Sequence, residues 1–289
     1  MIVLGTADYN LANIVGWTLS DSDCRSGVYS YHATNANLGD ILHWTCKFES
    51  TNQAYFRVAV KCTTSNRQGL RAAFRDIDGG LLGNLTSSSR SSTGVLNVRV
   101  GTTIHESLSP VPTDVWTIYE WGQTETTIMV KQDGVTVSEI TGLTLNTADI
   151  ADFIISSNET NGWTGYVDDV MVTDQDWPGR GHIEVYPATE LGNYQEWDDT
   201  YVTDAEVPNK KQSFKKQNLF LRAHTVTAAT VATQARLTGH GSGAIKLRLN
   251  DSESDPHLLG VSTESIGRGW AGPWTPAEFN ALEFGVASA

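Results

Sequence analysis

Positive charge is scarce in this chain. Over 289 residues, 20 Lys and Arg stand against 33 Asp and Glu, a formal net charge of −13 with histidine neutral. The shortage runs through both halves: residues 1–175 carry 10 basic and 19 acidic side chains, and the rest carry 10 and 14, so no basic tail hides in the average. Neutralising phosphates needs clustered Lys and Arg, so nucleic acid is not an expected partner and a polyanion of any kind is unexpected. Long apolar runs are lacking as well. No stretch approaches the roughly 18 consecutive apolar residues of a membrane span, so no membrane insertion is expected. The opening Met1-Ile2-Val3-Leu4-Gly5 has no basic segment ahead of a long apolar core, which points to folding in a cytoplasm without a secretory leader.

Reactive and metal-binding patterns are missing too. The three cysteines, Cys24, Cys46 and Cys62, cannot all pair within one chain. Cys46 shares a strand face with Leu42, Trp44 and Phe48, which favours buried thiols over a disulfide. None of the seven histidines has a partner at the spacings of a local zinc site, and neither a Walker-type phosphate loop nor a serine elbow is present. Jelly-roll glucanases of the retaining class set Glu-x-Asp-x-x-Glu along one strand so that the carboxylates share a face. Here Glu196 and Glu253 alone have Asp two residues on, at Asp198 and Asp255, and the last position of the pattern holds Tyr201 and Leu258. No catalytic residue, cofactor or metal is assigned, the glycan-binding residues stay undetermined, and the expectation is a protein without enzymatic activity.

Helical periodicity is absent from residues 1–175, which hold two of the eight prolines. Instead, short strands alternate with Gly, Ser, Thr and Asn clusters: Ala54 to Val60, Gly69 to Phe74, Val95 to Val100 and Val115 to Trp121. Thr127 to Val137 reads as a hairpin whose Asp133-Gly134 supplies the positive φ angles of a two-residue turn. Asp76-Ile77-Asp78-Gly79-Gly80 resembles the start of a calcium loop, but a glycine stands where a further ligand is needed, so a hairpin turn is expected. Gly165 to Asp174 reads as a strand in the middle of a sheet, with an inner face and a mostly buried outer one. Its neighbours Asp168 and Asp169 should point to opposite faces and anchor loops, with a peripheral calcium ion as the alternative.

That closing strand, preceded by a tryptophan strand and an Asp-Gly hairpin, resembles the concanavalin A/laminin G-like domains. The resemblance implies a jelly-roll sandwich over residues 1–175. Asp176-Trp177-Pro178-Gly179-Arg180-Gly181 then has linker punctuation, giving a linker over 176–182 and a second domain over 183–289. The second domain reads as β again, through His182 to Pro187, Tyr194 to Val202, Leu219 to Ala223, Thr225 to Leu237 and Ala244 to Leu249. The last element is expected to be a helix: Thr275 caps it, Pro276 opens it, Glu278 completes a capping box and Gly285 stops it. Phe279 and Leu282 should dock that short helix on a body of protein. The fold class expected is therefore all-β, an N-terminal laminin G-like jelly roll and a smaller C-terminal β-sandwich with a short terminal α-helix.

A second resemblance is carried by Gly181 to Pro187, Trp197 to Val202 and Pro273 to Val286. These runs are similar to the C-terminal domain of phage virion proteins, minor tail or minor structural proteins in which that domain follows a laminin G-like one. The resemblance implies a virion structural protein, most simply a minor tail protein, that displays a lectin-like domain to host-surface glycans. Its implied partners are other tail or capsid proteins and sister copies, and its implied location is the virion surface after assembly in the host cytoplasm. The alternatives are a head-decoration or capsid fibre protein and a polysaccharide-degrading enzyme.

Some residues stay double-edged. Lys210, Lys211, Lys215 and Lys216 around Phe214 form the one basic run, either a docking surface for an acidic neighbour or lysines guarding an edge strand. Trp44 and Trp116 fit core positions, whereas Trp163 falls in a loop where it could stack on a sugar or cap the core. Asn84-Leu85-Thr86 and Asn158-Glu159-Thr160 match glycosylation acceptors that matter only in a chain secreted from a eukaryote.

Overall fold

The computed structural model describes residues 2–5, 13–25, 30–34, 36, 38–45, 52–63, 69–87, 95–157, 163–178, 188–196, 211–216, 226–236, 243–259 and 264–289. The chain divides into two compact units, Val3–Glu184 and Val185–Ala289. Among the described residues both are built almost wholly of β-strands, with one short helix near the C-terminus. No helix among them is long and apolar enough to cross a membrane.

The first unit holds β1 (Ile2–Gly5), β2 (Asn13–Val15), β3 (Thr18–Ser20), β4 (Ser30–Ala33), β5 (Ile41–Thr45), β6 (Gln53–Cys62), β7 (Leu70–Arg75) and β8 (Leu81–Ser87). It continues with β9 (Val95–Val100), β10 (Thr103–Pro110), β11 (Thr117–Thr124), β12 (Thr127–Gln132), β13 (Val135–Thr141), β14 (Asp152–Ser157) and β15 (Gly165–Thr173). These form two sheets, one ordered β13-β12-β11-β6-β15-β4-β3 with β1 also on β15, the other β10-β9-β8-β7-β14-β5-β2. The expected sandwich is therefore present, and β15 lies inside its sheet, between β6 and β4.

Strict alternation makes the sandwich. On β6 the even residues Phe56, Val58 and Val60 enter the core, while Tyr55, Arg57 and Lys61 take the other face. Phe56 stacks on Trp121 at 5.7 Å and meets Phe153 of the opposite sheet at 4.8 Å. Two turns follow the expected chemistry. Asp133 (φ 49°) and Gly134 (φ 82°) close the β12–β13 hairpin, with Gln132 paired to Val135. Asp76 closes the β7–β8 hairpin, its Oδ1 accepting from the amides of Asp78 and Gly80. The calcium-like start is thus a turn.

Asp176, Trp177 and Pro178, where a linker was expected to begin, pack on the first unit. Trp177 meets Tyr55 at 5.3 Å, Lys131 Nζ sits 3.6 Å from its ring centroid, and Pro178 is buried. Gly179 to Pro187 lie outside the described residues, as do Cys46, Trp197 to Val202 and Leu219 to Ala223.

The second unit contains β16 (Ala188–Gln195), β17 (Lys211–Lys216), β18 (Val226–Ala235), β19 (Ala244–Leu249), β20 (Ser252–Glu253), β21 (His257–Leu258), β22 (Glu264–Trp274), α1 (Pro276–Ala281) and β23 (Phe284–Ser288). One sheet runs β16-β17-β23-β19-β20 with β21 also on β19, and β18 pairs with β22 as a ribbon. The ribbon's Val231 and Ile266 meet Ile245 and Leu247 of β19, and Phe279 of α1 closes the same core. The capping box is complete: Thr275 Oγ1 accepts from the Glu278 amide, and Glu278 Oε2 accepts from the Thr275 amide at 2.7 Å.

Two expectations fail here. Gly285 does not stop the helix, which ends at Ala281; it sits in β23, where a Cβ would come 2.0 Å from the Gln212 carbonyl oxygen. The helix is accordingly not the last element. Nor is the lysine run an edge, because β17 lies between β16 and β23.

Candidate functional site

The acidic pair flagged in the sequence does not diverge. A β-bulge between Asp168 and Met171 puts Asp169 in the left-handed region (φ 49°), a conformation that Asp tolerates better than most residues. Both carboxylates then turn to one partner: Asp168 Oδ2 accepts from the Arg25 amide at 3.0 Å, and Asp169 pairs with the Arg25 guanidinium. The Asp169 carbonyl accepts from Arg57 Nε at 3.2 Å, and Arg57 stands opposite Glu120 across β6 and β11. Burial is the largest influence on Arg57 and lowers its pKa, against the opposing charges of Asp169, Glu120 and Asp168. These groups neutralise one another, which makes the cluster an internal fastener of the sheet.

Two of the three flagged tryptophans lie in the core. Trp163 is buried, 5.4 Å from Trp17, so it caps the core and offers no platform to a sugar. Trp44 is core as expected. Trp116 is half-buried instead, ahead of β11, with its indole donating to Asp23 Oδ1 at 3.0 Å. In the second unit Lys211 Nζ lies 3.3 Å from Glu253, and Phe214 packs on Phe284 at 6.0 Å. Lys210, the Lys216 side chain and Asn158 to Thr160 lie outside the described residues.

A different surface gathers polar chemistry. On the seven-stranded sheet, Leu42, Phe74, Leu85, Val98 and Phe153 point into the core, so alternation turns the intervening residues outward. Pairing registers align them in rows. One row runs Ser156, Arg71, Thr86, Asn97 and Ser107 across β14, β7, β8, β9 and β10. The next runs His43, Ile154, Ala73, Asn84 and Arg99 across β5, β14, β7, β8 and β9. Arg75 stands opposite Asp152 beyond them. At a strand spacing of about 4.8 Å, the first row spans roughly 19 Å.

Asn84, Thr86 and Asn97 are buried, Ser107 is exposed, and hydrogen bonds tie them: Thr86 Oγ1 donates to Asn84 Oδ1 at 2.6 Å, Asn84 Nδ2 to the Gly101 carbonyl at 3.2 Å, and Ser107 Oγ to Asn97 Oδ1 at 2.8 Å. The larger members are half-buried and reach solvent. Asp152 takes Arg75 Nη2 at 3.2 Å and lies 2.9 Å from His43 Nε2. Arg99 has no hydrogen-bond or acidic partner among the described residues, and Ser156 Oγ, in a residue 6% exposed, is likewise unpartnered. The sequence carried a signal for this array. Arg71 and Arg75, Asn84 and Thr86, and Asn97 and Arg99 sit at alternate positions of strands that are apolar on the other face.

No family model and no curated protein matches the sequence. Solved structures do match, at low identity. A sialidase aligns at 12% identity and TM-score 0.41 over 56% of this chain and 17% of its own. Domain 4 of AbnA, a GH43 extracellular arabinanase from Geobacillus stearothermophilus in complex with arabinotriose, aligns at 16% and 0.40 over 60% and 81%. The catalytic domain of a glycoside hydrolase family 131 protein from Coprinopsis cinerea aligns at 14% and 0.39 over 58% and 80%. The chain thus spans about a sixth of the sialidase's length. The likeness is one of β-sandwich architecture.

The expectation of a protein without enzymatic activity is corrected by these matches, because a sialidase and a glycoside hydrolase catalytic domain stand among them. Its two premises were also too narrow. The absent Glu-x-Asp-x-x-Glu spacing concerns one class of glucanase, and the supposedly diverging Asp168 and Asp169 share Arg25.

Proposed function

We propose that the first unit recognises carbohydrate on the outward face of its seven-stranded sheet, and that the chain serves as a surface component of a phage particle, a minor tail protein that engages host-envelope glycans. The observation that carries the first part is the cross-strand row from Ser156 to Ser107, a line of hydrogen-bonding side chains on rigid strands, of which Thr86, Asn97 and Ser107 are held by hydrogen bonds. Sites mounted on strands are positioned better than sites on loops, and hydroxyl-rich ligands need such fixed donors and acceptors. The second part rests on the sequence resemblance of Gly181 to Pro187, Trp197 to Val202 and Pro273 to Val286 to virion proteins.

In this reading the second unit joins neighbouring virion subunits or sister copies, and the protein resides on the virion surface after assembly in the host cytoplasm. Weak affinity at each site is offset by many copies on one particle. The test has two parts. Calorimetric titration of the purified chain with host-envelope polysaccharide should give saturable binding, and gold-labelled antibody should decorate tails. Absence of binding to any envelope polysaccharide removes the carbohydrate reading; label on heads, or none on particles, removes the tail assignment.

A further inference from the structure

Resting on that carbohydrate reading, we propose that the outward face of β7, β8, β9 and β14 selects an anionic glycan, one whose charge is carried by carboxylate or phosphate groups. Three arginines, Arg71, Arg75 and Arg99, are placed outward on these strands, and Asp152 is the one carboxylate placed so among the described residues. This occurs in a unit whose first 175 residues carry 19 acids and 10 bases. The average charge that makes a polyanion unexpected from the sequence therefore hides a basic face, assembled from residues up to 28 positions apart.

The face is also biased toward donors. Asn97 Oδ1 is occupied by Ser107, which leaves the Asn97 Nδ2 hydrogens available, and Asn84 is spent on Gly101 and Thr86. Arg99 presents its guanidinium without an acidic partner among the described residues, and Ser156 Oγ has none. Arg75 is paired with Asp152. An array of donors with few acceptors matches a ligand rich in acceptor oxygens, and the planar fork of Arg matches two oxygens of one carboxylate or phosphate. No Trp, Tyr or Phe is placed outward on these strands among the described residues, so the face lacks the flat apolar ring on which a neutral sugar would stack. Charge and hydrogen bonding are left to do the selecting.

The test measures binding of the full chain to polygalacturonate, to poly(glycerol phosphate) and to carboxyl-reduced polygalacturonate, with Arg99→Gln, Arg99→Lys and Arg236→Gln variants. Arg236 is an exposed residue of the second unit and controls for bulk charge. At least one anionic polymer should bind about tenfold tighter than the reduced one, and which of the two does so identifies carboxylate or phosphate. Affinity should fall as salt is raised. R99Q should weaken that binding about tenfold with an unchanged melting temperature, R99K should restore part of it, and R236Q should leave it intact. Equal affinity for all three polymers, or R99Q behaving as R236Q, overturns the selectivity while leaving the carbohydrate reading in place. Binding to none of the three while host-envelope polysaccharide is bound overturns the selectivity alone, and binding to neither overturns both.

Discussion

Ser107 on β10 donates to the side-chain carbonyl of Asn97 on β9 at 2.8 Å, and this one bond fixes which way the asparagine faces. With its oxygen engaged by Ser107, Asn97 is oriented to offer its Nδ2 hydrogens to a ligand. Ser107→Ala should free the amide to rotate and weaken glycan binding several-fold while costing about 1 kcal/mol of stability or less. Comparing binding and thermal melting for the variant checks this; a loss of stability with unchanged affinity would show that the bond serves the fold alone.

Phe56 links three rings of the first core, in contact with Trp121, Phe153 and Phe74. Phe56→Ala should cost about 3–5 kcal/mol, a large part of the whole stability of a domain, and should unfold the first unit. Denaturant titration by tryptophan fluorescence reads this out directly.

Gly285 faces the Gln212 carbonyl so closely that a methyl group cannot be admitted without moving β17 from β23. Gly285→Ala should destabilise the second unit by about 1–3 kcal/mol. Truncation after Gly272 removes β23 from the middle of its sheet as well as the helix, so it should abolish folding of that unit outright. Circular dichroism of the truncated chain retaining native melting of both units would contradict this.

Glu253 links three strands, with Lys211 and Arg248 at 3.3 Å and Lys246 at 3.5 Å. Burial raises its pKa, but the Lys211 hydrogen bond and the charges of Lys211, Lys246 and Arg248 outweigh it and leave the carboxyl below its ordinary 4.5. A lowered pKa means that the fold favours the charged form, so this stabilisation is present above about pH 4.5 and is lost as pH falls through the folded value. The melting temperature of Glu253→Gln should therefore lie below that of the unaltered chain at pH 7, and the gap should narrow as pH is lowered below 4.5. A gap that stays constant with pH would assign the effect to packing.

How much of this was legible depended on whether the signal was local. Val95–Val100 and Ala244–Leu249 are strands over the very residues where alternation and β-branched content placed them. Asp133-Gly134 and the Thr275–Glu278 capping box are local chemistry and were read from adjacent residues. The failures are all non-local. Nothing near Gly285 reveals that Gln212 will lie against it, and nothing near Asp169 announces the bulge that turns it toward Arg25. The binding face is the extreme case, since Arg71 and Arg99 share a surface only because β8 pairs with both of their strands.

The division into two units leads to a proteolysis experiment. Pro178, Gly179 and Gly181 mark the boundary in the sequence, and Trp177 is already anchored on Tyr55. Limited digestion should cut first between residues 179 and 187 and leave two resistant fragments. Early cuts scattered through β6 to β15 would contradict independent folding.

The most direct measurement is hydrogen–deuterium exchange of the whole chain with and without saturating envelope polysaccharide. If the outward face of the seven-stranded sheet is the binding site, protection should rise over β7, β8, β9 and β14 and leave β6, β11 and β15 unchanged. Protection confined to the eight-stranded sheet, to the loops at the sandwich ends or to the second unit would place the ligand elsewhere and contradict the assignment.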